Sequence, residues 1–263
     1  MAFASIDFFS YTLGMDTTMK VLLPEKRQQS PVRQPGRQYP VLYLLHGHSD
    51  DDSGWIRKSL IELLVRDLDL IVVMPNCHRS FYTNGKETHR YFDFIARELP
   101  VVVSNFFPAS DKREDTCVAG ISMGGYGAFK LALTYPERYR AAASISGALY
   151  PFDVVRASKT AGMFTTPDFE EQFYRIFGSE ETFAESDDNL EQLIRRLSKS
   201  SRELPHLFQC AGTEDPLFQS SQTLLAVLEE AKLPVASITE SGGHNWDFWN
   251  RMIPVMMKEL GYL

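Results

Sequence analysis

The stretch TCVAGISMGGYGAFKLAL, residues 116–133, decides the predicted fold. Its first residues form a β-prone apolar run, which leads directly into Gly120-Ile121-Ser122-Met123-Gly124 and then into a helical pattern. A G-x-S-x-G sequence between a strand and a helix is the setting of a turn that exposes a nucleophilic serine. Glycine suits the positions two residues either side of Ser122, because side chains there would collide. The stretch therefore predicts a strand, a sharp turn and a helix, with Ser122 as candidate nucleophile; an ordinary turn that contains a serine is the alternative.

The rest of the chain alternates predicted strands with predicted helices. Residues 3–12 and 17–23 are interpreted as a β-hairpin. The predicted strands that follow are 39–45, 68–75, 115–121, 140–146, 206–211 and 234–239. The predicted helices are 56–67, 89–107, 123–135, 217–231 and 246–260, the second with a kink at Pro100. This alternation, with strands that are apolar on both sides, predicts an α/β fold with a mostly parallel central sheet and helices on both faces.

Residues 150–203 interrupt the alternation. They contain short amphipathic stretches and no clear strand, and they lie between two predicted strands. We therefore expect one domain over residues 1–263, in which 150–203 form an inserted helical cap. Four side chains of this cap are expected to help close a pocket: Phe152, Met163, Phe164 and Phe169.

Composition and charge exclude several classes of protein. The net charge of −7 and the scattered basic residues argue against a nucleic-acid binder. No run approaches the roughly 18 apolar residues of a membrane span, and the N-terminal residues lack the basic segment of a signal peptide. Cys77, Cys117 and Cys210 lie far apart, which favours neither a zinc site nor a disulfide framework. The sequence thus predicts a cytoplasmic protein without nucleic-acid, membrane or metal partners.

A serine hydroxyl needs a base, and the base needs an acid that orients it. With a nucleophile on this kind of turn, the acid and the base follow later in the chain in the order Ser, Asp, His. His244, in Ser-Gly-Gly-His-Asn-Trp after the last predicted strand, is the candidate base. Glu214 and Asp215 compete for the acid in the loop after the preceding strand; Asp215 is preferred because it adjoins Pro216, where the next helix starts.

Two backbone N–H groups are expected to bind the negative oxygen that forms during acyl transfer. Met123 supplies one at the start of the helix after Ser122, and the loop after strand 39–45 supplies the other. That loop begins His46-Gly47-His48, and the second donor is assigned to the N–H of His48. No carboxylate pair with zinc spacing accompanies His46 or His48, so neither is assigned as a metal ligand.

Aromatic residues on loops at the carboxyl ends of the strands are candidates for substrate binding, because α/β sheets bind ligands at that edge. They are Trp55, Phe81, Tyr82 and Trp246. Simple packing is an equally good interpretation of each one taken alone. Together with the cap they predict a small pocket, in which esters longer than about butyrate react poorly.

With these residues in place, the chain resembles the esterase D family of α/β-hydrolases, and within it the bacterial tributyrin or acetyl esterases. The resemblance covers nearly the whole chain and rests on LLHGH (44–48), SGW (53–55), MPN (74–76), RSFYTN (79–84), GISMGGYG (120–127), SGA (146–148), CAG (210–212) and GH (243–244). It implies the α/β-hydrolase fold and hydrolysis of short-chain acyl esters without a cofactor. The family's nucleophile, acid and base fall on Ser122, Asp215 and His244. Relatives tend to carry an apolar or small residue at His48, and they are often homo-oligomeric.

Other functions remain open at the level of sequence. Among hydrolases they are S-formylglutathione-type thioester hydrolysis and the cleavage of feruloyl or acetyl-sugar esters. Acyl transfer to an alcohol is a different reaction on a similar fold. A non-catalytic binding protein is the remaining class, although such proteins typically lose one member of the Ser-Asp-His set.

Overall fold

An eight-stranded sheet is the centre of the computed structural model, which describes residues 1–25, 36–161 and 168–263. The strand order among these residues is β1-β2-β4-β3-β5-β6-β7-β8. The strands are β1 (Ala2–Ser10), β2 (Met15–Leu23), β3 (Val41–Leu45), β4 (Ile71–Pro75), β5 (Thr116–Ile121), β6 (Ala141–Ile145), β7 (His206–Gly212) and β8 (Val235–Glu240). The prediction of a mostly parallel sheet is confirmed, since only the β1–β2 and β2–β4 pairs are antiparallel.

The parallel strands end at one edge of the sheet. Their registers align Leu45 of β3 with Gly120 of β5, and Ile121 of β5 with Ile145 of β6. Because parallel strands place their carboxyl ends together, the loops that follow them meet at this edge. The loops that carry His48, Ser122, Asp215 and His244 therefore converge, although these residues are far apart in the chain.

Side-chain alternation divides the core between the two faces of the sheet. On β3, Val41, Tyr43 and Leu45 belong to one apolar cluster and Leu42 and Leu44 to the other. Successive residues of a strand point to opposite faces, so a strand that is covered on both sides is apolar at every position. The first cluster includes the helix after Ser122, and the second includes the last helix of the chain.

The described helices follow the predicted positions, with one difference before β4. They are α1 (Gly54–Lys58), α2 (Ile61–Val65), α3 (Tyr91–Asp93), α4 (Leu99–Phe106), α5 (Met123–Thr134), α6 (Pro151–Ala161), α7 (Phe169–Phe177), α8 (Glu180–Ala184), α9 (Leu190–Leu197), α10 (Phe218–Glu230) and α11 (Trp246–Glu259). The single helix predicted over 56–67 is wrong, because two short helices meet there at Ser59. Its hydroxyl donates to Trp55 O and accepts from Ile61 N, and these local bonds replace the helical pattern.

Pro100 affects the helix that contains it, as predicted, through a defined change in hydrogen bonding. The segment Phe94–Glu98 forms a π-helical turn between α3 and α4, and Pro100 lies in the first turn of α4. Proline has no N–H to donate to the carbonyl four residues earlier, which is that of Ala96. The Arg138 guanidinium donates to that carbonyl instead, at 2.6 Å.

Helices α6 to α9 lie between β6 and β7, within the segment predicted to be a cap. A buried ion pair connects this segment to α5. Lys130 Nζ lies 2.5 Å from Asp188 Oδ1 and 2.8 Å from Thr83 Oγ1, and the Lys130 side chain is only 2% exposed. The Tyr126 hydroxyl donates to Asp188 O at 2.6 Å. Asp188 therefore holds the helical segment on the helix that begins after Ser122.

We predict that Asp188→Asn lowers the free energy of unfolding by about 3 kcal/mol, because breaking a buried pair leaves the Lys130 charge uncompensated. Urea denaturation of the variant measures this loss. The double variant Lys130→Met, Asp188→Asn should regain part of the loss, since it buries no charge.

The matched control for this prediction is the neighbouring carboxylate. Asp187 pairs with Arg196 at 2.6 Å on the surface, where its side chain is 81% exposed. Asp187→Asn should cost less than about 1 kcal/mol. Equal losses for Asp188→Asn and Asp187→Asn would show that the Lys130–Asp188 pair stabilises the fold no more than a surface pair does.

Candidate active site

Ser122 lies at the turn between β5 and α5 in a backbone conformation that is rare for a residue with a side chain. Its φ is 53° and its ψ is −118°. The glycines on either side make this turn possible: a Cβ on Gly120 would overlap the backbone of Gly124, and a Cβ on Gly124 would overlap the carbonyls of Leu45 and His46. The strained turn is the arrangement expected where a side chain must be exposed for chemistry.

His244 connects Ser122 to Asp215 by hydrogen bonds at both ring nitrogens. Nε2 lies 2.9 Å from Ser122 Oγ, and Nδ1 lies 2.9 Å from Asp215 Oδ2 and 3.1 Å from Oδ1. A carboxylate only accepts, so the proton of a neutral imidazole belongs on Nδ1, and Nε2 is left to accept from the serine hydroxyl. Hydroxyl, imidazole and carboxylate thus stand in the order that general-base activation of a serine requires.

The two carboxylates of the loop after β7 have different positions. Asp215 has a fully buried side chain, and its Oδ1 also accepts from Leu217 N at 2.8 Å. Glu214 accepts instead from the N–H of Gly242, in the loop that carries His244. The carboxylate that contacts the imidazole is therefore that of Asp215, while Glu214 ties down the neighbouring backbone.

The start of α5 and the loop after β3 both lie next to Ser122. Met123 is the first residue of α5, so its N–H has no acceptor in a preceding helical turn. Gly47 approaches from the loop after β3; a Cβ there would lie 3.5 Å from Ser122 Cβ. This contact brings the backbone that continues into His48 next to the serine. The loop after β3 and the start of α5 therefore border the space in front of Ser122.

Comparison with known proteins identifies the family. The family model described as "Putative esterase" matches residues 10–260. The chain belongs to this esterase family. It is 30% identical over 259 residues to an acetyl esterase of Caldicellulosiruptor saccharolyticus, an alignment that covers 96% of each chain.

Two solved structures extend the likeness to the fold. FphF of Staphylococcus aureus, a fluorophosphonate-binding serine hydrolase, superimposes with a TM-score of 0.85 at 28% identity over 98% of each chain. The S-formylglutathione hydrolase FrmB of the same species superimposes with a TM-score of 0.82 at 26% identity, again over 98% of each chain. The protein is therefore an α/β-hydrolase of the esterase family, as the resemblance in sequence implied.

The imidazole of His48 lies in an aromatic environment. Its ring centroid is 5.8 Å from that of Phe81, 5.5 Å from that of Phe169 and 6.3 Å from that of Phe173. Burial, followed by the positive charge of Arg79, lowers the pKa of His48 to about 4. The imidazole is therefore uncharged at neutral pH, and its ring serves as an apolar wall beside the loop that approaches Ser122.

Trp55 and Tyr82 support the end of β3. Trp55 Nε1 donates to Leu45 O at 3.0 Å, and the Tyr82 hydroxyl donates to His46 O at 2.9 Å. Both side chains are fully buried, as is that of Phe81. With no accessible surface, these three side chains meet no solvent-filled space. The structure thus gives them a supporting position beneath the site.

The remaining predicted pocket residues are distributed differently. Trp246 is partly exposed and packs edge-to-face on Trp55 at 5.5 Å, so contact with substrate stays a prediction for this side chain. Phe152 packs against Phe177 and Phe183 among the helices of the inserted segment. Met163 and Phe164 lie outside the described residues.

Sequence reasoning missed the role of His46. Its Nε2 accepts from Cys77 N at 3.0 Å, and its Nδ1 donates to Gly47 O at 2.8 Å. Burial lowers the pKa of this imidazole, in keeping with a neutral ring that accepts at one nitrogen. His46 thus joins the ends of β3 and β4. In the sequence, His46 stands directly after a buried strand, and this position does not identify its hydrogen-bond partners.

The described residues contain neither a metal-binding cluster nor a helix suited to a membrane. In residues 1–25, 36–161 and 168–263, no group of three His, Cys, Asp or Glu side chains is arranged to hold a metal ion. Within the same ranges, no helix combines the length and the apolar character that crossing a membrane requires.

The pKa of His48 predicts a pH dependence of stability. The folded pKa of about 4 lies below the ordinary histidine value of 6.5, so the unfolded chain binds the proton first as the pH falls. The stabilisation that comes from keeping the buried His48 uncharged is fully present above pH 6.5 and is lost as the pH falls toward 4. Between pH 7 and pH 4, the wild type should lose about 3 kcal/mol more than His48→Leu. Urea denaturation at both pH values measures the difference, and parallel losses would contradict it.

Proposed function

We propose that this protein is a serine carboxylesterase that hydrolyses short-chain acyl esters through Ser122, His244 and Asp215. The observation that supports the proposal most directly is the pair of 2.9 Å hydrogen bonds at the two nitrogens of His244. The similarity to a fluorophosphonate-binding serine hydrolase adds support for a reactive serine. The three residues take the roles of nucleophile, base and orienting acid.

In the first step, Ser122 Oγ attacks the ester carbonyl while His244 Nε2 accepts the hydroxyl proton. The carbonyl oxygen becomes negative, and the N–H groups of His48 and Met123 donate to it. Asp215 holds the imidazole in the required tautomer and stabilises the imidazolium that forms. Since Asp215 also accepts from Leu217 N, its position does not depend on His244 alone.

In the second half of the reaction, the imidazolium returns its proton to the leaving alcohol, and Ser122 remains acylated. Water then enters and attacks the acyl carbon while His244 removes its proton; the bond between the acyl carbon and Ser122 Oγ breaks, the acid leaves, and His244 returns the proton to Ser122 Oγ. The proposed proton transfers run between the ester, water, Ser122 and His244.

Substitutions of the three residues test their roles. Ser122→Ala and His244→Gln should each lower kcat by about a millionfold if the residues act as a unit. Asp215→Asn should lower it by about 10⁴-fold through loss of the correct tautomer. Initial rates on phenyl acetate, with thermal melting to verify folding, measure these effects.

Glu214→Gln is the matched control for Asp215→Asn, because the adjacent carboxylate contacts backbone rather than the imidazole. It should lower kcat far less than Asp215→Asn. A Ser122→Ala variant that keeps most of the ester hydrolysis, or a Glu214→Gln variant as impaired as Asp215→Asn, would overturn the assignment.

A short acyl chain is the second part of the proposal. The acetyl esterase that is 30% identical to this chain supports an acetyl substrate. The packing of His48 against Phe81, Phe169 and Phe173 supports a small site, because these rings fill space beside the loop that borders Ser122. Each methylene that finds no room loses its burial energy of roughly 0.8 kcal/mol.

A series of p-nitrophenyl esters tests the size of the acyl pocket. We expect kcat/KM to be highest between acetate and butyrate and to fall at hexanoate and beyond. The series is to be read at substrate concentrations below micelle formation. Efficient cleavage of decanoate or longer esters would contradict the small pocket.

Thioester hydrolysis of the S-formylglutathione type is the second candidate, and the similarity to FrmB at 26% identity favours it. Both functions use the same acyl-enzyme, so the competing substrates must be compared directly. A kcat/KM on S-formylglutathione far above that on phenyl acetate would assign the protein to thioester hydrolysis.

We further propose a cytoplasmic location and a possible homo-oligomer. The buried, unpaired thiols of Cys77, Cys117 and Cys210 support a reducing compartment. Fractionation of the source cells tests the location, and light scattering of the purified protein tests the oligomeric state.

A further inference from the structure

A cleft of about 370 Å³ opens between the loop after β4 and helix α7. Arg79 and His78 border it from the loop, and Arg175 borders it from α7. His89 and Tyr91 are among its other polar lining residues, while Met15 and Ile176 contribute apolar surface. The cleft lies beyond the carboxyl end of β4, at the edge of the sheet where α/β folds bind ligands.

The charge of this cleft is opposite to that of the whole chain. The chain carries a net charge of −7, yet two arginines and two histidines line the cleft, and none of the residues that line it is an Asp or Glu. Arg175 pairs with Glu171 on the surface of α7. Arg79 is exposed and forms no salt bridge with a described residue. Its charge is one of the smaller causes that lower the pKa of Asp168, after the hydrogen bond from Gln172, so this exposed carboxylate is a neighbour with which a bound anion would compete.

Two further features favour a ligand here. The Tyr91 ring is 4% exposed and lies edge-to-face between the rings of His78 and His89, with centroids 6.0 and 6.2 Å away. Within the described residues the Tyr91 hydroxyl has no hydrogen-bond partner, so it can donate to a bound group. His78 has a φ of 45°, and strain of this kind often marks a residue with a function.

The cleft adjoins the esterase site through α7 and through the loop after β4. On α7, Phe173 packs on His48, while Arg175 of the same helix lines the cleft. Burial is the main cause that lowers the pKa of His48 and the charge of Arg79 is the next, so the guanidinium lies near that imidazole. The residue before His48 is Gly47, which packs on Ser122. The cleft and the esterase site are therefore neighbours that share α7.

We propose that this cleft binds a carboxylate carried by the ester substrate, with Arg79 as the principal cation. The proposal rests on the ester hydrolysis proposed above and specifies its substrates. The planar guanidinium binds a carboxylate through two parallel N–H···O bonds. Arg175 and the Tyr91 hydroxyl add a second charge and a donor, and the apolar wall accommodates the carbon skeleton between the ester and the acid.

Matched acid and amide substrates test the proposal, because the members of each pair are similar in size and differ in charge. The alcohol-side pair is 4-acetoxybenzoate and 4-acetoxybenzamide, and the acyl-side pair is ethyl hydrogen succinate and ethyl succinamate. The measured quantity is the ratio of kcat/KM for the acid to that for its amide. Each ratio is divided by the ratio of the non-enzymatic hydrolysis rates, which corrects for the difference in intrinsic reactivity. In the wild type, one pair should give a ratio above one that falls with added salt.

Substitution of Arg79 should change this ratio. In Arg79→Gln the ratio should fall by about tenfold for the pair that reaches the cleft. The fall in Arg175→Gln should be smaller, since Arg175 already pairs with Glu171. Arg202→Gln is the control, because Arg202 lies before β7, at the opposite edge of the sheet, and pairs with Glu137 at 3.7 Å. The control should keep the wild-type ratio.

The outcomes separate the two proposals. Wild-type ratios below one for both pairs, or ratios that Arg79→Gln leaves unchanged, would overturn the carboxylate site while ester hydrolysis stands. Hydrolysis of the ester bond of 4-acetoxybenzamide or ethyl succinamate that persists in Ser122→Ala would instead overturn the proposed function. Arg79→Gln is replaced as the test if its melting temperature is well below that of the wild type. The ratio is then measured in Arg79→Lys and, for the wild type, as a function of salt concentration. A wild-type ratio that does not change with salt counts against the carboxylate site.

Discussion

The close contact between the backbones of Gly120 and Gly124 is the constraint on which the site depends. It allows the chain to reverse from β5 into α5 within a single residue, so that Ser122 takes a φ of 53° and faces His244. Because Gly124 has no side chain, the start of α5 also packs directly against the end of β3. One turn thereby sets the direction of the hydroxyl and its position relative to the start of α5 and the loop after β3.

Buried side chains around the end of β3 stabilise that turn. Trp55 and Tyr82 donate to backbone carbonyls at the end of β3, and His46, directly after β3, accepts from Cys77 N after β4; each of the three side chains is buried. Buried polar groups hold a defined geometry when every partner is present, because an unsatisfied donor or acceptor is costly. Residues first expected to touch the substrate are thus part of the support that keeps the loop after β3 against Ser122.

Much of the architecture was predictable because it depends on short-range patterns. Buried parallel strands are apolar at every position, so β3 to β7 were recognised within three residues of their ends. Local hydrogen bonds were not predictable: the hydroxyl of Ser59 divides one expected helix into two. The ion pair of Lys130 and Asp188 was also missed, since a lysine in an apolar helix indicates burial without identifying its partner.

The sequence by itself determined the order of the strands and helices, the turn at Ser122 and the positions of Asp215 and His244 after the last two strands. Each of these follows from residue types at fixed spacing. Only the tertiary structure decided which carboxylate meets the imidazole, because Glu214 and Asp215 are adjacent and differ by the direction of their side chains. It also decided that Trp55 and Tyr82 lie beneath the site and that Arg79 borders a cleft, since both depend on contacts between segments far apart in the chain.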